Sequence, residues 1–364
     1  MTGPGGDPGK NRGVAPVDLR SDTLTMPGEG MRRAMAEAEL GDDVFREDPT
    51  VNRLQRLAAD LLDKEDALFV ASGTMGNLLG VLCLARSGQE VVADADSHLF
   101  MAEGAGAAAL GGIQIRPVET SAGVMKAEQV RSAVRPRDDV HQPISAALSV
   151  ENTHNRHGGV VWPLDRLRDV AETARRSGLA LHMDGARLFN AAVALGVPAA
   201  EIGAEADTVT FCVSKGLGAP VGSVLCGPAE VVDRARRWRK ALGGGWREAG
   251  VLAAAGLWAL ENNVDRLAED HANARTLAEG LAEMDGLSVD LERVQTNIVF
   301  VEIAAMPAAE FVRRCGEKGV LAGASGERRV RFVTHLGVDA AGIQRALEVC
   351  SEVLAESAEP AARS

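Results

Sequence analysis

The chain has 364 residues, of which 46% are hydrophobic and 25% are charged, and its formal net charge is −12. This length is enough for a large domain with a substantial core and a second, smaller domain. The acidic balance argues against a nucleic-acid partner, and no apolar run approaches the ~20 residues that a membrane span needs. The N-terminal residues also lack the apolar core of a secretion signal, so we expect a soluble, cytoplasmic protein.

Five cysteines are scattered along the chain without the paired spacing of a zinc site or of a disulfide framework. They are Cys83, Cys212, Cys226, Cys315 and Cys350. Four of them stand in apolar surroundings, which favours reduced thiols in a protein core. We therefore predict neither disulfides nor a metal site.

The predicted elements begin after a disordered tail over residues 1–16, with an extended arm and a short helix over 17–50. Between 51 and 265, short apolar runs alternate with helical patterns, which is typical of a mainly parallel, doubly wound α/β sheet. The strand runs are "ALFVAS", "EVVAD", "IQIRPV", "ISAALSV", "LALHMD" and "TVTFCVS". A smaller α+β domain is predicted over 266–356, and residues 357–364 are predicted to form a second disordered tail.

The first candidate site lies in "SGTMGN", between a strand and a helix. Gly73 and Thr74 would present backbone N–H groups and a hydroxyl at the N-terminus of that helix, an arrangement that favours a phosphate. An ordinary helix cap explains the same residues equally well.

Two charged residues follow later strands of the same predicted sheet. Asp184 comes after "LALHM" and either pairs with Arg187 as a structural cap or holds a cationic ring nitrogen. Lys215 comes after "TVTFCVS" and either extends to solvent or acts, when partly desolvated, as a Schiff-base nucleophile. A phosphate cradle, an aspartate and a lysine at successive strand ends together predict a pyridoxal phosphate site.

Two histidines also stand just past strands. His154 lies in the turn-rich stretch "ENTHNRHGG" and either reaches bound substrate or stabilises the turn. His98 follows "EVVAD" and either stacks on a planar cofactor, relays protons or simply packs. The sequence leaves these alternatives open.

Motifs along the chain resemble those of the low-specificity L-threonine aldolases, pyridoxal phosphate enzymes of fold type I. The most specific are "ENTHN", "DGARLFNA" and "SKGLGAPVGS", and the resemblance runs from about Val17 to the last helix. It implies the aspartate-aminotransferase fold, with a seven-stranded sheet and a smaller C-terminal α+β domain. It also implies cleavage of L-threonine, L-allo-threonine and other L-3-hydroxy-amino acids to glycine and an aldehyde.

The resemblance implies a role for each matching residue. Lys215 would bind the cofactor covalently, Asp184 would contact its pyridine nitrogen, and His98 would stack on its ring. The other cofactor contacts are implied for Gly73, Thr74, Arg187, Ser214, Lys240 and Arg247. The substrate contacts are implied for Ser21, His154, Arg187 and Arg331. The catalytic base is His98, His154 or a water that they hold.

Lys240 and Arg247 would reach the cofactor of a neighbouring subunit, so the resemblance implies a homo-oligomer, usually a tetramer, with shared active sites. Phe45 and Arg46 depart from the family, which commonly has Tyr and Gly there, and Trp246 replaces a common Met. These departures leave the shape of the substrate pocket open. The alternatives are a β-eliminating lyase, a hydroxymethyltransferase-like enzyme or a transaldolase on the same scaffold, and a non-catalytic cofactor-binding protein.

Overall fold

The computed structural model describes residues 15–358, so the predicted tails over 1–16 and 357–364 fall almost entirely outside the described residues. The strands, in chain order, are β1 (Val17–Asp18), β2 (Asp66–Val70), β3 (Glu90–Asp94), β4 (Gln114–Val118), β5 (Ser145–Glu151), β6 (Ala180–Gly185), β7 (Thr208–Cys212), β8 (Ser223–Gly227), β9 (Leu287–Ser288), β10 (Ile298–Ile303), β11 (Val320–Leu321), β12 (Gly323–Ala324) and β13 (Arg329–Val333).

The α-helices, in chain order, are α1 (Glu29–Ala36), α2 (Pro49–Leu62), α3 (Gly73–Leu84), α4 (His98–Met101), α5 (Gly106–Gly111), α6 (Ala127–Ala133), α7 (Leu164–Arg176), α8 (Leu188–Leu195), α9 (Ala199–Gly203), α10 (Ala229–Ala241), α11 (Gly250–Asn262), α12 (Leu267–Ala282), α13 (Ala308–Glu317) and α14 (Ala340–Ala358). Within residues 15–358, none of these helices combines the length and the apolar character that crossing a bilayer requires.

The central sheet has seven strands in the order β2-β8-β7-β6-β5-β3-β4, which confirms the predicted fold class. Strands β7, β6, β5, β3 and β4 are parallel to one another, and β8 runs antiparallel to both of its neighbours, β2 and β7. Every residue of β3, β7 and β8 is buried, which explains their continuous apolar runs. The analysis of the sequence missed β8, which follows β7 after a glycine-rich turn with no helix between the two strands.

Helix α2 illustrates how local sequence sets these elements. The Asp48 carboxylate accepts hydrogen bonds from the N–H groups of Thr50 and Val51, and Pro49 occupies the first helical position. Apolar residues then recur every three or four positions and are buried against the sheet, so the helix packs by one face. It ends at Asp63, whose backbone is left-handed.

The C-terminal part of the chain forms a second, four-stranded sheet in the order β12-β13-β10-β9, with its own apolar core. Strand β1 pairs in parallel with β11, and Leu19 is buried in that core, so the start of the N-terminal arm packs with the C-terminal part. The predicted domain boundaries stay a prediction.

The five cysteines are free thiols, as predicted, and all except Cys83 are buried. The parallel strands direct their carboxyl ends to one edge of the central sheet. The residues that follow β3, β5, β6 and β7 therefore meet there, as expected for a doubly wound sheet.

Candidate active site

A cavity of about 140 Å³ lies at the carboxyl edge of the central sheet. Six side chains that the sequence singled out line it: Ser21, His98, Asp184, Arg187, Lys215 and Arg331. They come from positions as far apart in the chain as the N-terminal arm and β13. The fold therefore brings an amine, two guanidinium groups, an imidazole and a carboxylate into one small space.

Lys215 is half-buried just past β7. Its backbone carbonyl accepts a hydrogen bond of 2.9 Å from the hydroxyl of Thr25, which ties the lysine loop to the N-terminal arm. The neighbouring Ser214 hydroxyl donates to the carbonyl of Gly222 at 3.1 Å. These contacts fix the backbone on both sides of the amine.

Asp184, at the end of β6, is held by the side-chain amide of Asn77. The amide nitrogen of Asn77 donates to Asp184 Oδ2 at 2.7 Å and to Glu103 Oε1 at 2.8 Å. Its oxygen lies 3.1 Å from Nε2 of His182, whose Nδ1 lies 2.9 Å from the hydroxyl of Thr208. Burial lowers the pKa of His182 to about 4, so the ring is neutral and donates from Nε2. Asn77 thus connects the carboxylates of Asp184 and Glu103 to the buried ring of His182.

A close approach between α3 and the sheet makes this link possible. A Cβ at Gly80 would lie 2.6 Å from the imidazole of His182, so this position excludes any side chain. Because Asn77 lies three residues earlier, on the same face of α3, it reaches the end of β6.

The imidazole ring of His98 lines the cavity and is hydrogen-bonded to the Glu103 carboxyl group. Nδ1 of His98 lies 2.8 Å from Glu103 Oε1, and this hydrogen bond raises the pKa of His98 above its ordinary value. Burial raises the pKa of Glu103. The backbone N–H of His98 donates to Glu151 Oε2 at 2.6 Å, so both the ring and the backbone of His98 are fixed.

Arg187 pairs with Asp22 and not with Asp184. Nε and Nη2 of Arg187 donate to the two Asp22 oxygens at 2.6 and 2.8 Å, and both side chains are almost fully buried. Although burial alone would raise the pKa of Asp22, the charges of Arg187, Lys215 and Arg331 hold that pKa well below its ordinary value. The structural pairing considered for Asp184 and Arg187 is therefore absent from the described contacts of this chain.

Arg331, on β13, presents a guanidinium that is only partly satisfied. Its Nη2 donates to Asn155 Oδ1 at 2.9 Å, and Nη1 of Arg187 donates to the same oxygen at 3.2 Å. Nε of Arg331 is buried and has no hydrogen-bond partner among residues 15–358. Burial, with repulsion from Arg187, lowers the pKa of Arg331 to about 10. The two guanidinium groups converge on a position that suits a carboxylate.

The residues present fit pyridoxal phosphate. The cavity combines a primary amine with a buried carboxylate, which are the groups that an aldehyde and a protonated pyridine require. The first N–H groups of α3, at Gly73 and Thr74, have no partners within the helix and favour an anion. A Cβ at Gly73 would lie 2.9 Å from Sγ of Cys212, so the chain carries no side chain there.

His154 does not line this cavity. Its ring is fully buried, and Nε2 lies 3.2 Å from Asp94 Oδ1 at the end of β3. The predicted contact between His154 and the substrate hydroxyl stays a prediction that this geometry does not favour. The turn that carries His154 also carries Asn155, which does reach the cavity.

Comparisons with known proteins show which family this chain belongs to. Residues 18–305 match the family described as Beta-eliminating lyase. A probable low-specificity L-threonine aldolase 2 of Arabidopsis thaliana is 46% identical over 329 residues, covering 88% of this chain and 92% of that protein. The low specificity L-threonine aldolase of Escherichia coli (strain K12) is also 46% identical, over 323 residues, covering 88% of this chain and 94% of that protein. The chain belongs to the low-specificity L-threonine aldolase family.

Solved structures agree with this assignment at the level of the fold. A putative L-allo-threonine aldolase from Listeria monocytogenes superposes with a TM-score of 0.79 at 20% identity, covering 93% of this chain and 96% of that one. A threonine aldolase from Leishmania major also gives a TM-score of 0.79 at 20% identity, covering 93% and 99%.

One departure from the aldolase family pattern has a structural consequence. Arg46 has a φ of 60°, in the left-handed region that glycine adopts freely and an arginine adopts at a cost. Its guanidinium Nη2 lies 2.6 Å from Asp233 on α10. Phe45, which replaces the common tyrosine, is 69% exposed and lies outside the cavity lining.

Lys240 and Arg247 are exposed and do not line the cavity of their own chain. Arg247 pairs with Asp42 at 2.8 Å. This placement is compatible with contacts to another subunit, and their roles stay a prediction.

The sequence analysis missed five residues in or around the cavity whose contacts are described above: Asp22, Asn77, Glu103, Glu151 and Asn155. Glu151 fixes two backbone N–H groups, those of His98 and Asn155, at 2.6 and 2.8 Å. Asn77 lies inside the quoted motif "SGTMGN" and Glu151 inside "ENTHN", but nothing local reveals their partners.

Proposed function

We propose that this chain cleaves L-threonine, L-allo-threonine and related L-3-hydroxy-amino acids between Cα and Cβ, giving glycine and an aldehyde, with pyridoxal phosphate as cofactor. The observation that carries the proposal is the convergence of Lys215, Asp184 and the Arg331 guanidinium on one cavity. The low-specificity L-threonine aldolases at 46% identity support the substrate class.

Lys215 would hold the cofactor through its amine, and Asp184 would pair with the protonated pyridine nitrogen. The N-terminus of α3, with Gly73 and Thr74, would hold the phosphate, together with Ser214. When bound, the cofactor supplies an electron sink for the bond that breaks at Cα. Asn77 would keep the Asp184 carboxylate oriented, because its amide nitrogen donates a 2.7 Å hydrogen bond to Oδ2.

Arg331 would bind the substrate carboxylate, because its buried Nε is a donor in need of an acceptor. Arg187 would play a different part from the one the sequence implied. Its planar pair of donors is engaged by Asp22, so only Nη1 remains for the substrate side. Ser21 would complete this wall of the cavity. Binding the carboxylate at a fixed point orients the Cα–Cβ bond for cleavage.

His98 is the better supported candidate for moving the proton of the β-hydroxyl. Glu103 engages Nδ1 of His98, which leaves Nε2 to accept a proton directly or through a water. The ring of His154 is turned to Asp94 instead. A histidine must be neutral to act as a base. Because the pKa of His98 is raised, we expect activity to rise with pH at values above the ordinary histidine pKa of 6.5.

We further propose a cytoplasmic homo-oligomer that shares its active sites. Free thiols at all five cysteines support a reducing compartment. Lys240 and Arg247 are exposed, and the helix that carries Lys240 also exposes Trp238, a large side chain that suits an interface better than a solvated face. Light scattering of the purified protein is expected to give a multiple of the chain mass; a monomer would leave both residues without a role.

A direct assay tests the activity. Holoenzyme is incubated separately with L-threonine, L-allo-threonine and L-phenylserine, and glycine, aldehyde and ammonia are quantified. We expect glycine and aldehyde in equal amounts. The second candidate is β-elimination, which the matching family's description favours, and it would yield ammonia and a 2-oxo acid instead.

A further inference from the structure

Two acidic and two imidazole side chains meet just past the carboxyl ends of β3 and β5, outside the cavity lining described above. Asp94 ends β3 and Asp96 follows two residues later, while His154 and His157 lie on the turn after β5. We call these four residues the Asp94 cluster. Ligand atoms of Asp94, His154 and His157 all lie within 4.8 Å of one another.

The spacing of these atoms suits a tetrahedral metal site. Nε2 of His154 lies 3.2 Å from Asp94 Oδ1, and Nε2 of His157 lies 4.0 Å from the same oxygen. Nε2 of His157 also lies 3.3 Å from Asp96 Oδ2. Zinc bonds of 2.0–2.2 Å in a tetrahedron place neighbouring ligand atoms ~3.3–3.6 Å apart. The observed separations fall around this value without any rearrangement of the backbone.

Hydrogen bonding alone does not account for the cluster. The pair with Asp94 accounts for Nε2 of His154, but Nε2 of His157 is buried and has no hydrogen-bond partner in the described part of the chain. The two imidazole rings meet edge to face with centroids 4.7 Å apart, and Nε2 of His157 lies between the carboxylates of Asp94 and Asp96. A shared cation satisfies both nitrogens and the carboxylates together.

The carboxylate at the centre of the cluster is itself oriented, as metal ligands usually are. Asp94 Oδ2 accepts from the Thr120 hydroxyl at 2.5 Å, and Oδ1 accepts from the N–H of Asp96 at 2.8 Å. Arg156 lies 3.6 Å from the other oxygen of Asp96 and reduces the negative charge there. Two carboxylates and two imidazole nitrogens form a donor set that matches a divalent ion.

We propose that Asp94, His154 and His157 bind a zinc-type divalent cation, with Asp96 or a water as the fourth ligand. Nitrogen and carboxylate donors in tetrahedral array favour zinc over calcium or magnesium, which prefer oxygen ligands at higher coordination number. The ion holds the turn that also carries Asn155. Since Asn155 contacts both Arg187 and Arg331, the metal orders one wall of the substrate cavity.

Metal binding is measured without reference to turnover. Tag-free holoenzyme is treated with a chelator, dialysed and equilibrated with zinc sulfate, and bound zinc is determined by plasma mass spectrometry. A parallel sample is titrated with cobalt chloride while the visible d–d absorption is recorded, because tetrahedral cobalt absorbs strongly there. We expect one zinc per chain and an intense cobalt spectrum.

Three variants locate the site. His157→Gln and Asp96→Asn each remove one donor, and His141→Gln changes an exposed histidine elsewhere as a control. We expect His157→Gln to weaken zinc binding by at least about tenfold and His141→Gln to leave it unchanged. Asp96→Asn, which should also fold, is expected to alter the cobalt spectrum. No zinc on the wild-type protein, or equal binding by wild type and both cluster variants, would overturn the proposal.

Discussion

Removing the buried carboxylate of Asp22 should destabilise the protein far more than removing the exposed carboxylate of Asp233, although each lies equally close to an arginine nitrogen. Two ion pairs in this chain have the same N–O distance of 2.6 Å, Arg187–Asp22 and Arg46–Asp233. The side chains of the first are 4% and 0% exposed, and those of the second are 55% and 58% exposed. The two pairs therefore differ in burial and in the number of hydrogen bonds, two for Arg187–Asp22 and one for Arg46–Asp233, and not in their shortest N–O distance.

The magnitude follows from what each substitution leaves behind. Asp22→Ala leaves the Arg187 guanidinium buried without its counter-charge and beside Arg331, at a cost of about 3–5 kcal/mol. It also removes the acceptor of a 3.2 Å hydrogen bond from Asn297. Asp233→Ala breaks a pair that solvent already screens, at a cost of about 0–1 kcal/mol.

Urea unfolding of both variants and the wild type, followed by circular dichroism at equal cofactor loading, measures the two losses. The pKa of Asp22 is lowered in the folded state, so its contribution is complete above the unfolded pKa of about 3.9 and is lost as the pH falls below that value. Wild type should therefore lose stability in acid more steeply than Asp22→Ala. Equal losses for Asp22→Ala and Asp233→Ala would refute the reasoning.

Three further substitutions test the cavity. Asn77→Leu leaves a buried imidazole and two carboxylates without their shared hydrogen-bond partner, so it should lower the free energy of unfolding by about 3 kcal/mol or more, measured by urea unfolding. It should also weaken cofactor binding, measured by absorbance titration. Unchanged stability would exclude Asn77 as the residue that connects Asp184 and Glu103 to His182. Arg331→Lys replaces the planar pair of guanidinium donors by a single ammonium group and should lower kcat/KM about 10–100-fold. The control Arg329→Lys, on the same face of β13, should change kcat/KM little. Equal effects of the two variants would contradict the proposal that Arg331 binds the substrate carboxylate. Glu103→Gln should lower the pKa of His98 and move the rising limb of kcat/KM to lower pH; an unmoved limb would show that another group titrates.

The sheet was predictable because each of its parallel strands is a short, continuous apolar run. "EVVAD" matches β3 without a shift, and the other predicted strands overlap the observed ones within one or two residues. The cavity was predictable in part, because parallel strands place Asp184 and Lys215 at the same edge. The motif resemblance added Ser21, Arg187 and Arg331 to the predicted lining, whereas Glu151 and Asn155, which also line the cavity, were not predicted.

What the sequence did not reveal depends on contacts between distant positions. Asp22 and Arg187 are 165 residues apart, and Asn77 and Asp184 are 107 apart, so no local pattern couples them. The orientation of the His154 ring could not be predicted from the sequence either. Its turn is recognisable in the sequence, but only the packed structure turns the ring to Asp94 and lets Asn155 face the cavity.

Borohydride reduction of the cofactor-saturated protein, followed by peptide mapping, most directly tests whether Lys215 is the covalent attachment point. We expect a single pyridoxyl modification, on the peptide that contains "SKGLG", and none in the Lys215→Ala variant. Modification of another lysine, or an unmodified protein after saturation with cofactor, would contradict the account of this site.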